Sequence, residues 1–236
     1  MNNDFDLLIS NLKNNVNFAF SRFNDGEMIA IDQVGSVISR GDQMVTQELQ
    51  QELKKSILHK QENYFIGIPC SKCYPKYHDL SLSLVGEYKF LTKATVLIND
   101  NWKRFLDQFP KSIEGRRIVW IGGDDQDIDN LNKIGITVDK KALIPRKNSW
   151  RYFNHILETF PQSFQKDDVV CISLGPTARI LAQRWFESNP DKTFLDIGST
   201  FDPYTRNVFH NYHLGWDETG FNLTKPCEEC NIKYEN

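Results

Sequence analysis

The segment Phe18-Ala-Phe-Ser-Arg-Phe-Asn-Asp-Gly-Glu27 joins a strand-like pattern to a charged, glycine-containing end. Its first half alternates phenylalanine with smaller residues, which predicts a short buried strand. Its second half places Asp25 and Glu27 on either side of Gly26, and we expect a turn there because glycine allows the backbone to bend sharply. Two carboxylates on such a turn can converge on one hard cation. Arg22 adds a positive charge nearby, so this strand end is predicted to bind a phosphorylated ligand.

Short apolar strands alternate with amphipathic helices over the rest of the chain. Apolar runs predict further strands at 64–68, 96–98, 118–121, 142–144, 169–172 and 194–197. Apolar residues at helical spacing predict helices over 5–12, 45–57, 80–90, 102–109, 150–160 and 180–185. Proline and polar residues predict a loop over 70–80. The alternation predicts an α/β fold with a mostly parallel, Rossmann-like sheet covered by helices on both faces.

Size and composition narrow the class of protein. Among the 236 residues, 40% are hydrophobic and 25% are charged, which is ordinary for a globular chain. No linker is evident, so we predict a single domain over 1–200 and an irregular C-terminal extension over 201–236 that packs on it. The net charge of −3 provides no basic field for nucleic acid. No apolar run approaches the roughly 20 residues that span a bilayer, and the amino terminus lacks a signal-peptide pattern, so we expect a cytoplasmic protein.

Polar or glycine-containing segments follow five of the predicted strands. They are Asp25–Glu27, Gly122–Asp125, Pro145–Asn148, Gly175–Thr177 and Asp196–Gly198. The carboxyl ends of parallel strands meet at one edge of a sheet, and ligands bind beyond that edge. We therefore expect the five segments to contribute to one site.

Four motifs occur in an order and at distances that are typical of a known family. They are Arg22-Phe-Asn-Asp-Gly-Glu27, Pro145-Arg-Lys-Asn148, Leu174-Gly-Pro-Thr-Ala178 and Asp196-Ile-Gly198. With these motifs, roughly residues 16–200 resemble the GT-D-fold glycosyltransferases, first known as domain of unknown function 1792 (DUF1792). The chain departs from that family at Asn24, where glycine is usual, and at Ser199, where histidine is usual. The family's acceptor is therefore not carried over.

The resemblance implies a metal-dependent glycosyltransferase. Such an enzyme moves a sugar from a nucleotide diphosphate donor, here expected to be a UDP-sugar, to a hydroxyl of a glycan or glycoconjugate acceptor. A catalytic Mn²⁺ or Mg²⁺ would be held by Asp25 and Glu27 and would bridge the diphosphate oxygens. The implied donor-binding residues are Arg22, Asn24, Lys147, Asn148, Gly175, Pro176 and Thr177.

The acceptor hydroxyl also needs a general base. Candidates that follow the predicted strands or lie in the extension are Asp196, Asp202, Asp124 and His210, and the sequence does not choose among them. We carry Asp196 and His210 forward, with Asp25 and Glu27, as the catalytic candidates.

Each of these residues also has a structural interpretation. Arg22 could form an ion pair, Asn148 could cap a helix and Thr177 could be an N-cap. Asp196 could bond loop backbone, and His210 could be a polar surface residue. The alternative function is a nucleotide-sugar-binding or interaction module of the same fold without turnover. A methyltransferase-type enzyme ranks behind both, because its candidate cofactor loop lacks a Gly-x-Gly pattern.

Four of the five cysteines form two Cys-x-x-Cys pairs, Cys70 with Cys73 and Cys227 with Cys230. Each pair has the spacing of a zinc knuckle, and two knuckles complete a four-thiolate tetrahedral site. The pairs lie far apart in the sequence, so the alternative is four unconnected thiols. If they meet, a structural Zn²⁺ would fix the C-terminal extension to the loop after the strand at 64–68.

Overall fold

The computed structural model of the chain describes residues 4–33, 38–40, 43–99, 101–210 and 213. The strands are β1 (Ala19–Arg22), β2 (Ile38–Arg40), β3 (Gln43–Val45), β4 (Tyr64–Ile68), β5 (Leu91–Lys93), β6 (Ile118–Gly123), β7 (Lys140–Ile144), β8 (Val169–Ser173) and β9 (Thr193–Asp196). The α-helices are α1 (Asp4–Lys13), α2 (Asp25–Asp32), α3 (Gln47–Leu58), α4 (Pro75–Val85), α5 (Asn101–Ser112), α6 (Phe153–Thr159), α7 (Thr177–Ser188) and α8 (Asp202–Thr205). Shorter 3-10 helices cover Ile128–Ile134, Ser149–Tyr152 and Phe160–Ser163.

Seven of the strands form one sheet in the order β5-β4-β1-β9-β8-β6-β7, and every neighbouring pair in it is parallel. The other two, β2 and β3, form a separate antiparallel hairpin. The fold is therefore the Rossmann-like α/β sheet that the strand and helix pattern predicts.

Helices cover both faces of the sheet, and the direction of each connection decides which face its helix covers. Connections that step towards the β5 edge carry α2, α3, α4, α6 and α7, which pack on one face. Connections that step towards the β7 edge carry α5 and the 3-10 helix at 128–134, which pack with α1 on the opposite face. This division between the two faces is expected, because crossover connections between parallel strands are almost always right-handed.

A hydrophobic core lies on each side of the sheet. On the α3 side, the periodic residues Leu49, Leu53 and Ile57 are all inaccessible to solvent. On the α5 side, Phe105 and Phe109 are similarly buried. None of the helices in the described ranges is both long enough and apolar enough to span a bilayer.

Two local predictions were wrong. The apolar run 96–98 forms buried turns, and the strand in this region is Leu91–Lys93, which pairs with β4. The predicted loop over 70–80 contains the start of α4, because Pro75 occupies the beginning of that helix, where proline is favoured. Helix α4 then ends at Val85, before the end of the predicted helix.

Within the described residues 201–210, the chain forms a short helix, α8, in a part predicted to be irregular. Phe201 just before it is buried against Phe105, Phe109 and Trp120. The core of the domain therefore extends at least to residue 201. Residues 214–236 lie outside the described part of the chain.

Candidate functional site

The topology of the sheet places the candidate ligand-binding crevice at its carboxyl edge, between the neighbouring strands β1 and β9. After β1 the chain enters α2, which packs on the α3 side, whereas after β9 it reaches Phe201, which packs on the α5 side. Adjacent strands whose following segments leave towards opposite faces form the ligand-binding crevice of open α/β sheets. Arg22 and Asp196, the last residues of these two strands, lie where the crevice begins.

Asp196 is fully buried, and both of its carboxylate oxygens accept hydrogen bonds from the backbone. Oδ2 accepts from the Arg22 N–H at 3.0 Å, and Oδ1 accepts from the Gly198 N–H at 3.2 Å. Oδ2 also lies 3.1 Å from Nε of Arg179. This environment matches the structural interpretation of Asp196, and a fully buried carboxylate is poorly placed to take a proton from an incoming hydroxyl.

Arg179 is the organising residue of the site, and the sequence analysis missed it. Its Nε donates to the Arg22 carbonyl at 2.7 Å, and its Nη1 donates to the Gly175 carbonyl. Its Nη2 lies 3.3 Å from Oε1 of Glu27. The available signal was an arginine in the first turn of the otherwise apolar start of α7, where a charge is buried only when it is paired.

Asp25 and Glu27 begin helix α2, so the turn predicted around Gly26 is the first turn of a helix. Side chains two positions apart on a helix do not face each other. Glu27 is buried, pairs with Arg179 and accepts a hydrogen bond from the Asn24 N–H at 3.1 Å. Asp25 is half-buried. In this arrangement the two carboxylates do not fit a shared two-carboxylate cation site.

Arg22 is buried, and its guanidinium makes no hydrogen bond to the residues that the structure describes. The side chain is 9% exposed, and Nε, which lies 4.0 Å from Asp196 Oδ2, has no hydrogen-bond partner among the described residues. The hydrogen bonds of Arg22 within the described ranges all involve its backbone. A buried donor without an acceptor is costly unless a ligand supplies one.

Gly198 makes room for this guanidinium. A Cβ added at Gly198 would lie 1.9 Å from Nη2 of Arg22, and the backbone φ of +47° is also unfavourable for other residues. The Asp-Ile-Gly motif therefore contributes two things to the crevice, a carboxylate that holds the Arg22 backbone and a space that holds its side chain.

The hairpin β2–β3 holds the loop after β7. Gln43 Nε2 donates to the Arg146 carbonyl at 2.6 Å, and the Met44 N–H donates to Oδ1 of Asn148 at 2.7 Å. Asn148, predicted to bind the donor, thus uses its amide oxygen within the protein and has a left-handed backbone. Lys147 beside it is exposed.

The segment Gly175–Thr177 lies at the start of α7, as predicted. Gly175 has φ +54° and is exposed, and Pro176 is half-buried. Thr177 is fully buried, and its hydroxyl bonds that of Ser149 at 3.0 Å. It is the first residue of α7 and not the N-cap, which is Pro176. The predicted contribution of the Thr177 hydroxyl to an anion site is therefore replaced by a contact to the neighbouring loop.

A second charged group of residues borders the crevice beyond β6 and α8. Asp125 accepts hydrogen bonds from Nε of Arg206 at 2.7 Å and from Nη1 of Arg146 at 2.7 Å. Partial burial raises the pKa of Asp125, but the hydrogen bonds from both arginines outweigh it and leave the pKa below its usual value. Arg206 also pairs with Asp202, whose second oxygen lies 3.2 Å from Nε2 of His210.

His213 is a buried, neutral histidine next to this group. Its Nδ1 accepts from the His210 N–H at 3.1 Å, and its Nε2 donates to the Ser199 carbonyl at 2.9 Å. The ring centre lies 5.0 Å from that of Trp102. Burial, together with smaller effects of His210 and Arg22, lowers the pKa of His213 to about 4.

The cysteine pairs are only half described. Cys70 is buried and Cys73 is exposed in the segment between β4 and α4. Cys227 and Cys230 lie outside the described residues. Within the described ranges, no group of three or more His, Cys, Asp or Glu side chains is arranged to hold a metal ion.

Comparisons with known proteins agree with this architecture. No family model matches the chain, and no curated protein matches it. Two solved structures do match. One is a selenomethionine-substituted structure of DUF1792. It superposes with a TM-score of 0.65 and 16% identity, over 85% of this chain and 79% of that one.

The second structure is described as DUF1792 having a distinct glycosyltransferase fold. It superposes with a TM-score of 0.67 and 15% identity, over 90% of this chain and 88% of that one. The chain has the DUF1792 fold. The resemblance inferred from four short motifs is thereby confirmed for the fold.

Proposed function

We propose that this chain is a glycosyltransferase that takes a sugar from a nucleotide diphosphate donor, with a UDP-sugar as the expected donor, and passes it to a hydroxyl of a glycan or glycoconjugate. The observation that carries the proposal is Arg22. Its guanidinium is nine-tenths buried at the start of the crevice and its Nε lacks a partner among the described residues. A diphosphate supplies the anionic acceptors that such a group binds best.

The neighbourhood of Arg22 supports an anionic ligand. Helix α7 begins at Thr177, so the positive end of its dipole and the exposed Gly175 face the same edge of the sheet. Asp196, the nearest carboxylate, is already neutralised by Arg179 and by two backbone N–H groups. Arg179 also pairs with Glu27, so the two arginines balance the two buried carboxylates. An anion is favoured here by the unused Nε donor of Arg22 and by the start of α7.

The chemistry asked of the protein is positioning and charge stabilisation. The bond between the anomeric carbon and the diphosphate oxygen breaks with its electron pair on the diphosphate, and Arg22 offsets that charge. The acceptor oxygen forms the new bond. No step of this proposal depends on a metal ion, because Asp25 and Glu27 do not face each other and Glu27 is bound by Arg179.

A donor screen tests the proposal. Thermal shifts and nucleoside diphosphate release are measured with UDP-, GDP- and dTDP-sugars, in Mn²⁺ and in EDTA. A donor at about 100 times its Kd stabilises the folded state by about 2.7 kcal/mol, which corresponds to a rise in Tm of roughly 5–10 °C for a chain of this size. If no donor shifts Tm and no nucleoside diphosphate is released, the proposal is wrong.

The same screen distinguishes the alternative function, a binding module without turnover, from a transferase. A donor that binds without release or transfer under either metal condition supports a nucleotide-sugar-binding module of the same fold. Loss of activity in EDTA that Mn²⁺ restores would support the metal dependence that the family resemblance implies.

The two acidic residues in the first turn of α2 are tested by separate variants. Asp25→Asn removes the carboxylate that remains a candidate for a cation, and if a metal binds there, it reduces activity with Tm unchanged. Glu27→Gln removes the charge partner of buried Arg179, so we expect a lower Tm whether or not a metal is involved.

The structural zinc stays a prediction of its own. Elemental analysis of purified protein, compared with a Cys70→Ser variant, measures it directly. About one zinc per chain that the variant loses would support a site that includes the pair at 70 and 73.

A further inference from the structure

The structure separates the four candidate bases by their surroundings. Asp196 is fully buried, and both of its oxygens are bound. Asp124 is exposed and its Oδ1 accepts from the Arg146 N–H at 3.1 Å, which makes it part of the loop after β6. Asp202 is 8% exposed and is paired on both sides. His210, whose side chain is 39% exposed, is the one of the four that both reaches solvent and is held by a buried carboxylate.

Asp202 and His210 form a dyad. Nε2 of His210 lies 3.2 Å from Oδ2 of Asp202. A neutral imidazole that donates its Nε2–H to a carboxylate carries its lone pair on Nδ1, so the carboxylate fixes the tautomer as well as the ring orientation. The same carboxylate stabilises the imidazolium that forms when the ring takes up a proton.

Asp202 is itself fixed in place. Its Oδ1 is bound by Nη1 of Arg206, one turn later in the chain. The other nitrogens of Arg206 donate to Asp125 at 2.7 and 3.0 Å. A carboxylate held in this way from the side opposite the imidazole has little freedom to rotate.

The dyad borders the Arg22 crevice through a continuous set of contacts. The His210 N–H donates to His213 at 3.1 Å, and His213 donates to the Ser199 carbonyl at 2.9 Å. Ser199 follows Gly198, over which the Arg22 guanidinium lies. These contacts link His210 through His213 to Ser199, the residue that follows Gly198.

We propose that His210 is the general base of the transfer reaction and that Asp202 is its positioning residue. This proposal rests on the proposed function. The proton of the acceptor hydroxyl passes to His210 Nδ1 as the acceptor oxygen bonds to the anomeric carbon. The bond from that carbon to the diphosphate breaks in the same step, and its electron pair leaves on the diphosphate. The imidazolium then returns its proton to solvent.

Among the described residues, the charged or titratable groups around His210 include Asp202, Arg206 and His213. Asp202 faces Nε2, and Arg206 faces the far side of Asp202. The His213 ring centre lies 5.3 Å from that of His210, and that ring is neutral above pH 4 because burial lowers its pKa. A fall in activity at acidic pH would therefore report the dyad and not its neighbour.

Hydrolysis of the donor tests the proposal without knowledge of the acceptor, because the same base activates water. Nucleoside diphosphate release from the best donor of the screen is measured for wild type, His210→Gln, His210→Ala and Asp202→Asn. We expect kcat of both His210 variants to be about 10²–10⁴-fold lower than that of wild type. The rise in Tm that UDP causes should be the same in these variants as in wild type. Added imidazole should restore part of the rate of His210→Ala.

The pH dependence gives a second readout that a purely structural role would not change. The rate of wild type should fall at acidic pH as the base becomes protonated, and this limb should disappear in His210→Gln. Asp202→Asn should displace the limb and lower kcat with little effect on KM. His155→Gln is the matched control, because His155 is an exposed histidine on α6, on the opposite side of the fold from α8.

The outcomes distinguish the two proposals. If wild type releases nucleoside diphosphate and folded His210→Gln does so within about threefold of its rate, with the acidic limb intact, the dyad proposal is wrong and the transferase stands. If wild type neither binds nor cleaves any donor, both proposals fall together. If Asp202→Asn does not fold, the two His210 variants still decide the matter.

Discussion

The two edges of the sheet each contain an arginine among the strand ends, and the two side chains are used differently. At the amino edge, Nε of Arg116 donates to the Asp167 carbonyl at 2.9 Å. Nη2 of Arg116 donates to Asn17 at 2.8 Å and to Thr193 at 3.1 Å. Two of its three nitrogens thus join the segments that lead into β1, β6, β8 and β9.

At the carboxyl edge, the situation of Arg22 is the reverse. The protein holds its backbone firmly, through Asp196 and Arg179, and leaves its guanidinium without a hydrogen bond among the described residues. An arginine whose acceptors come from the protein contributes to stability, whereas one positioned without acceptors is prepared for a ligand. We therefore expect Arg116 to act mainly on stability and Arg22 mainly on ligand binding.

The largest expected effect is on binding in Arg22→Ala. The variant removes the charge-assisted hydrogen bonds predicted for the diphosphate, so the Kd for UDP, measured by calorimetry, should rise by about 10- to 100-fold. Its Tm should stay close to that of wild type, because the guanidinium has no hydrogen bond in the described structure to lose. A large fall in Tm with unchanged UDP affinity would reverse the assignment of the two arginines.

The second prediction concerns Arg116, the arginine at the amino edge of the sheet. Arg116→Ala removes three hydrogen bonds from partly buried and buried acceptors, at a cost of about 2–3 kcal/mol. The Tm should fall by roughly 4–10 °C, and the UDP affinity of the folded protein should not change. An Arg116→Ala protein that melts like wild type would show that this edge does not need its arginine.

Glycines at the two edges give a third and smaller test. Gly198 and Gly115 both have positive φ, +47° and +76°, so alanine strains the backbone at either position by about 1 kcal/mol. Only at Gly198 does the new Cβ meet another side chain, at 1.9 Å from Arg22 Nη2, while at Gly115 nothing lies within 4 Å. We expect both variants to lose similar stability and only Gly198→Ala to lose UDP binding.

The fourth prediction concerns the pH dependence of stability at the carboxyl edge. Burial lowers the pKa of His213 to about 4, below the ordinary histidine value of 6.5. Between these values the unfolded chain binds a proton that the folded chain does not, so folding stability is full above pH 6.5 and falls as the pH drops towards 4. As the pH falls through this window, the urea midpoint of wild type should drop towards that of His213→Gln, because the variant lacks the titrating group.

The sequence predicted the sheet well because strand burial is a local property. Apolar runs such as 118–121 and 169–172 belong to strands that have a neighbour on each side and are buried on both faces, so their sequences lack a polar face. The wrong strand at 96–98 shows the limit, because an apolar run can be buried in turns as well as in a strand. Burial was predicted correctly there, and backbone geometry was not.

The candidate site was harder to predict, because its contacts join residues that are distant in the sequence. Arg22 and Asp196 were found because each ends a recognisable strand. Arg179 was missed because its partners are backbone carbonyls and carboxylates brought together only by the parallel pairing of β1 and β9. The turn expected at Gly26 was also wrong, since a glycine near a strand end is equally compatible with the first turn of a helix.

The hairpin contacts to the loop after β7 have a consequence for protein engineering. Gln43 and Met44 bind that loop through the Arg146 carbonyl and the Asn148 side chain, about a hundred positions later in the chain. A chimera that exchanged either segment alone with that of a related domain would separate a donor from its acceptor. Exchange of substrate preference in this fold would therefore require the hairpin and the loop to be transplanted together, as one discontinuous module.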